Sequence, residues 1–162
     1  MRRHRFFRLT LPAAALAALF ACKKTPATPT RTLEFTLTAS PNPTAGALCT
    51  GCGAGSTERE SLSTITIRET GGAGGTVTSI AMVLRESGTN TLITQGEFDA
   101  NAVTSLAGSN RVAANGSLAV RSGVHYPPAQ QGKAATLTYT VRVTDDRGNS
   151  VSHDIVITVT TT

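Results

Sequence analysis

The chain has no tryptophan, and its few phenylalanines and tyrosines make up 4% of 162 residues. A core built without large aromatics rests on aliphatic side chains, and a binding face made this way has few of the anchors on which interfaces concentrate their energy. Charge is sparse as well, at 15% of residues, and no Lys/Arg cluster follows Lys23-Lys24. A nucleic-acid role therefore lacks its electrostatic footprint. Cysteine occurs three times, at Cys22, Cys49 and Cys52. There is one long apolar run, Leu9 to Ala21. As a helix it spans about 20 Å at about 1.5 Å per residue, short of the ~30 Å of a bilayer core.

What precedes and follows that run gives it a purpose. Arg2, Arg3, Arg5 and Arg8 come first, and the run ends in small residues before Cys22. Cationic, then apolar, then small is the order of a secretory signal. The stretch Leu19-Phe20-Ala21-Cys22 resembles the lipobox of bacterial lipoproteins, with Leu three residues before the cysteine and a small residue directly before it. Phe20 departs from that pattern, which more often has a small residue there. The resemblance implies a helical signal peptide over 1–21, a mature chain starting at Cys22, and acylation of that cysteine. Several acyl chains anchor durably where one binds marginally. Lys23 stands where enteric lipoproteins retained at the inner membrane carry Asp, so the expected location is the bacterial cell envelope, at the outer membrane. Thr25 to Arg31, TPATPTR, is held extended by its prolines as a short tether. The expected organisation is signal 1–21, lipidated Cys and Pro/Thr tether 22–31, and one domain over 32–162.

The formal charge of +5 belongs mostly to the signal. Without its four arginines the chain keeps eleven basic residues against ten acidic, and is close to neutral. The remainder fits one domain large enough to bury a real core. It is rich in Thr, Ser, Gly, Val and Ile, a β composition.

Period-two alternation places the strands. Leu33, Phe35 and Leu37 share a face, as do Ile65 and Ile67 within Ser61–Glu69, and Ile80, Met82 and Leu84 after a flexible GGAGG turn, Gly71 to Gly75. Thr91–Thr94 reads as a short fourth strand, and Val112 and Leu118–Val120 as two more. The last hairpin is the clearest: Leu137, Tyr139, Val141 and Val143 face inward, Asp145 to Asn149 turns, and Val151, His153, Ile155, Ile157 and Val159 return. Asp, Asn and Gly148 suit a tight reversal. About seven strands, each with one apolar face, predict an all-β, two-sheet antiparallel sandwich. The domain resembles the immunoglobulin-like domains of bacterial surface proteins, on that strand count and on the final hairpin "YTVRVTDDRGNSVSHDIVITV". It departs from antibody domains in having neither the Trp nor the inter-sheet cysteine pair, so its core is expected to rest on aliphatics with Phe35, Phe98 and Tyr139.

Few constellations could carry chemistry. Cys49-Thr50-Gly51-Cys52 is the first. With Cys22 lipidated, an even pair remains in an oxidising compartment, which favours a small disulfide that stiffens a Gly/Ala-rich loop. A redox dithiol would need a helix starting at the first Cys, and a zinc site would need further ligands that no second motif supplies. His125 falls in a loop before Pro127-Pro128, and His153 on the inward face of the last strand; both read as structural. Asp145, Asp146 and Asn149 form a weak candidate calcium site that turn chemistry alone explains. GGAGG lacks the Lys-Ser/Thr and helix of a phosphate cradle.

The expectation is a non-catalytic, membrane-anchored lipoprotein with no cofactor, an immunoglobulin-like interaction or structural module. Its partners would be the membrane, through the N-terminal lipid, and an envelope protein or glycan met by the loops at Ser40–Arg59 and Asp99–Ala114 or by a strand edge. The alternatives are a calcium-dependent adhesion module and a thiol-disulfide factor using Cys49 and Cys52.

Overall fold

A computed structural model describes residues 30–130 and 132–161. The signal, the lipobox with Cys22, and the tether up to Pro29 lie outside the described residues. Alternating apolar side chains build the strands: β1 is Phe35–Ser40, β2 Thr44–Leu48, β3 Arg59–Glu69, β4 Gly75–Glu86 and β5 Leu92–Asp99. Helix α1, Ala100–Ala107, follows, then β6, Arg111–Val112, and β7, Ser117–Tyr126. A single 3-10 turn at Pro128–Gln130 leads to β8, Ala134–Thr144, and β9, Ser150–Thr161. The architecture is mostly β, in one mixed, non-closed sheet.

The ladder has two arms. β3 is flanked antiparallel by β7 on one side and by β1 and β2 in succession on the other. The second arm runs β2-β9-β8-β4-β5. The two join because the first segment changes partner: β1 pairs with the later half of β3, and β2 with its start while also running parallel to β9. Pro41 and Pro43, each preceded by a cis bond, stand at the change. Proline donates nothing to a ladder, so pairing breaks there.

The inward residues of both arms meet in one core. Ile65, Ile67, Val120 and Val124 from β3 and β7 are buried with Ile80, Leu84, Leu137, Tyr139, Val141 and Ile157 from the other arm. Tyr139 crosses the core, its hydroxyl donating to Ser122 Oγ at 2.9 Å. Phe35 and Tyr139 are fully buried as expected, and Phe98 packs half-buried at the margin.

Several expectations need correction. Nine strands form where about seven were expected; the strand expected at Val112 is the short β6, and β2, with few large apolar residues, is the one without a counterpart in the sequence pattern. The sheet is mixed rather than antiparallel throughout, since β2 and β9 run parallel. The short strand at Thr91–Thr94 extends to Asp99. The loop expected over Asp99–Ala114 contains α1, stopped cleanly at both ends. Asp99 caps its start by accepting from Ala102 N–H at 2.8 Å, and Gly108 ends it at φ 75°, a left-handed conformation that glycine tolerates best. Within Ser40–Arg59, β2 takes up the first half. His125 lies on β7, not in a loop, and His153 is exposed, resting edge-on against the Phe35 ring with centroids 4.6 Å apart.

The GGAGG turn is also not a free loop. Glu69, 1% exposed, accepts backbone N–H bonds from Gly71, Gly72, Ala73 and Asn115 at 2.9, 3.0, 3.3 and 2.6 Å. One buried carboxylate thus pins this turn to the segment ahead of β7. The chain joins the domain beside it, where Thr32 bridges to Gly72. The β8–β9 turn lies at the same end, because Thr76 pairs with Thr144.

Candidate functional site

The opposite end of the domain carries the chemistry. β3 runs from that end to the Glu69 end, and its 11 residues span roughly 35 Å at about 3.3 Å each. Residues 49–58 join β2 to β3 there, closed by Cys49 N–H to the Glu58 carbonyl at 2.9 Å and by a Cys49–Cys52 disulfide with Cα atoms 5.6 Å apart. Gly53 and Gly55 turn the loop at φ 98° and 79°, which side chains disfavour. The disulfide reading of the sequence therefore agrees with the geometry. No helix starts at Cys49; the pair follows a strand, without the helix N-terminal field that depresses thiol pKa in redox motifs.

The sequence did not show what stands beside the disulfide. Glu60 on β3 and His125 on β7 are cross-strand partners, and both side chains point away from the core. The His125 Nδ1 lies 3.4 Å from Cys52 Sγ, and its Nε2 lies 3.3 Å from Glu60 Oε1. Cys49 is buried at 4% exposure, Cys52 is half-buried and His125 is exposed. Gly123 makes room for this, since a Cβ there would stand 2.8 Å from both Glu60 Oε1 and Leu62 Cδ2. The Cys49, Cys52 and His125 donor atoms all lie within 4.8 Å of one another. The signal was available in principle, as a Glu and a His at matching outward positions of two strands, but it needed the β3–β7 register, which no local pattern encodes.

A surface depression of about 540 Å³ adjoins this cluster, lined among others by Thr50, Gly51, Leu62, Leu106, Arg121 and Glu60. It joins the two segments expected to carry recognition, the cysteine loop and the stretch after Asp99. Leu62 and Leu106 are 37% and 42% exposed.

The candidate calcium residues are otherwise occupied. Asp145 accepts from Arg147 N–H, Asn149 N–H and Asn149 Nδ2, each at 2.9 Å. The Asn149 side chain, helped by the backbone N–H groups of Asn149 and Arg147, outweighs burial and holds the Asp145 carboxyl below its ordinary pKa. Asp146 pairs with both guanidinium nitrogens of Arg111 at 2.8 and 2.6 Å. Turn hydrogen bonds account for Asp145 and Asn149, and the Arg111 ion pair for Asp146.

The disulfide closes a very short loop, so its effect on stability is small. Reduction is expected to lower unfolding free energy by about 2 kcal/mol, the loop-closure entropy of four residues. Denaturant melts with and without a dithiol measure it; collapse of the fold on reduction would contradict the expectation.

No family pattern and no curated protein matches the chain. Solved structures do. A structural-genomics target designated SoR45 superposes with a TM-score of 0.57 at 12% identity, over 78% of this chain and 86% of that one. A Bordetella pertussis protein given the name ApaA, target BeR40, superposes at 0.53 and 12% identity, over 80% of this chain and 96% of that one. At that identity the likeness concerns the fold alone.

Proposed function

We propose that this chain is a lipid-anchored module of the bacterial envelope, non-catalytic, whose immunoglobulin-like domain offers a binding surface to a neighbouring protein or glycan. The observation that carries it is polarity. The chain joins the domain at the Thr32–Gly72 end, while the disulfide loop and its depression lie at the other, roughly 35 Å away. A tether from Cys22 would hold the first end at the membrane and turn the second outward.

The strand pairing supports the immunoglobulin-like reading. One arm, β1-β3-β7, corresponds to the A, B and E strands of that fold, and the other, β9-β8-β4-β5, to G, F, C and C′. The parallel β2–β9 contact lets the first segment serve both arms. Leu62 and Leu106 give the depression apolar area, and Arg121 and Glu60 give it polar groups that fix orientation.

Cell fractionation tests the anchor. Wild-type protein is expected in the membrane fraction after washing with high salt and to incorporate labelled fatty acid, while Cys22→Ser incorporates none. Wild-type protein in the soluble fraction, or label retained by Cys22→Ser, would overturn it.

A further inference from the structure

We infer that Cys49, Cys52 and His125 form a redox-gated site for a thiophilic divalent cation of the zinc type, closed while the disulfide is intact and opened by reduction. The donors are of the right kind, two thiolates and an imidazole, as in three-ligand zinc sites that leave a fourth position free. The spacing is right as well. Tetrahedral zinc with bonds of about 2.3 Å to sulfur and about 2.05 Å to nitrogen places a sulfur and a nitrogen ligand about 3.6 Å apart. Cys52 Sγ and His125 Nδ1 already stand at 3.4 Å. Two adjustments remain: the sulfurs, no longer bonded, part to about 3.8 Å, and Cys49 Sγ, now within 4.8 Å of the imidazole nitrogen, closes to about 3.6 Å. Side-chain rotation in a loop rich in glycine, with Gly51, Gly53 and Gly55 around the pair, allows that.

Glu60 strengthens the assignment. A histidine that binds a metal through one ring nitrogen usually gives the other N–H to a carboxylate, which fixes the tautomer and makes the ligand nitrogen more basic. Glu60 Oε1 lies on Nε2, leaving the Nδ1 lone pair turned toward sulfur. The β3–β7 ladder sets this alignment by pairing Glu60 directly with His125, and the missing Cβ of Gly123 lets the carboxylate lie across the strand. An ordinary structural disulfide requires neither a histidine at its outer sulfur nor a carboxylate behind it.

The chemistry balances with one reductant of the dithiol class. Its two thiols become a disulfide as the Cys49–Cys52 bond takes up two electrons and two protons. Binding the cation then releases those two protons as two metal–sulfur bonds form. The fourth position is left to water or to a donor from a partner.

The test uses the full protein without an affinity tag, reduced anaerobically by a dithiol and freed of excess reagent. Titration with Co²⁺ is expected to produce the visible bands of tetrahedral cobalt and a thiolate charge-transfer band, at one ion per chain, with displacement by Zn²⁺. The oxidised protein should give neither band. Glu60→Gln is expected to weaken Zn²⁺ binding by about 10- to 100-fold, the effect of removing a carboxylate behind a ligating histidine. His125→Ala should weaken it more. Unchanged circular dichroism and melting of the oxidised variants would show that they fold. No tetrahedral spectrum for the reduced wild type, or His125→Ala binding as tightly as wild type, would overturn the site.

Discussion

Replacing Glu69 by alanine is expected to destabilise the domain by about 3 kcal/mol or more, a drop of roughly 12 °C in melting temperature for a domain of this size. The carboxylate is 1% exposed and its two oxygens serve four backbone donors, Gly71, Gly72, Ala73 and Asn115. Each donor left unmet in a buried position costs about 1–3 kcal/mol, and partial access of water to the turn brings the sum down. Glu69→Gln should fall between, since its amide keeps one acceptor but presents N–H groups to other N–H groups.

The same carboxyl makes stability depend on pH. Burial alone would raise its pKa, but the N–H groups of Asn115, Gly72, Gly71 and Ala73 outweigh burial and hold it below the ordinary range. A group with a depressed folded pKa stabilises fully above its unfolded value, about 4.3 for Glu, and loses that contribution as pH falls through the folded value. The gap between wild type and Glu69→Gln should therefore be constant near neutral pH and narrow in acid. Urea melts at a series of pH values measure this. Equal stability of Glu69→Ala and wild type, or a gap that widens in acid, would contradict the account.

Gly46→Ala is expected to be nearly as damaging, at about 3 kcal/mol, although it adds a single methyl group to a strand. A Cβ at this position would overlap Tyr126 Oη and stand 2.8 Å from its Cζ. The backbone has nowhere to go, because Gly46 is paired with Ser61 on one side and Thr161 on the other. The Tyr126 ring, 2% exposed, must move instead. Tyr126→Phe removes the overlapping oxygen, so the double variant Gly46→Ala/Tyr126→Phe should be more stable than Gly46→Ala alone. That non-additivity is the signature of direct contact. Gly46→Ala at wild-type stability, or no rescue by Tyr126→Phe, would contradict it. Displacing Tyr126 would also disturb its neighbour His125, so Gly46 supports the site as well as the fold.

The elements that the sequence made legible are those whose pattern is local. The β8–β9 hairpin follows from strict alternation between Leu137 and Val143 and from a turn whose Asp145 and Gly148 fit their places. Strands β1 and β3 follow from Leu33, Phe35, Ile65 and Ile67, all buried. The cysteine pair is legible from its spacing. What escaped depends on distant partners. β2, TAGAL, lacks large alternating residues and is a strand because β3 and β9 hold it from both sides. Helix α1 was hidden by its Ser, Thr and Asn, though Asp99 and Gly108 mark its ends. Glu69 in ETGGAGG reads only as the last residue of a strand before a flexible turn until Asn115 approaches from 46 residues away. The meeting of Glu60, His125 and Cys52 has the same origin: sixty-five residues separate Glu60 from His125, and the β3–β7 register alone makes them neighbours.

Intact mass of the protein extracted from membranes, with and without reductant, tests the central claim of an anchored module with a disulfide at its outer pole. The expected result is a chain beginning at Cys22 with the mass of acyl groups added, gaining about 2 Da on reduction as the Cys49–Cys52 bond takes up two hydrogens. A chain beginning elsewhere, carrying no lipid and unchanged by reductant, would contradict both halves of the claim.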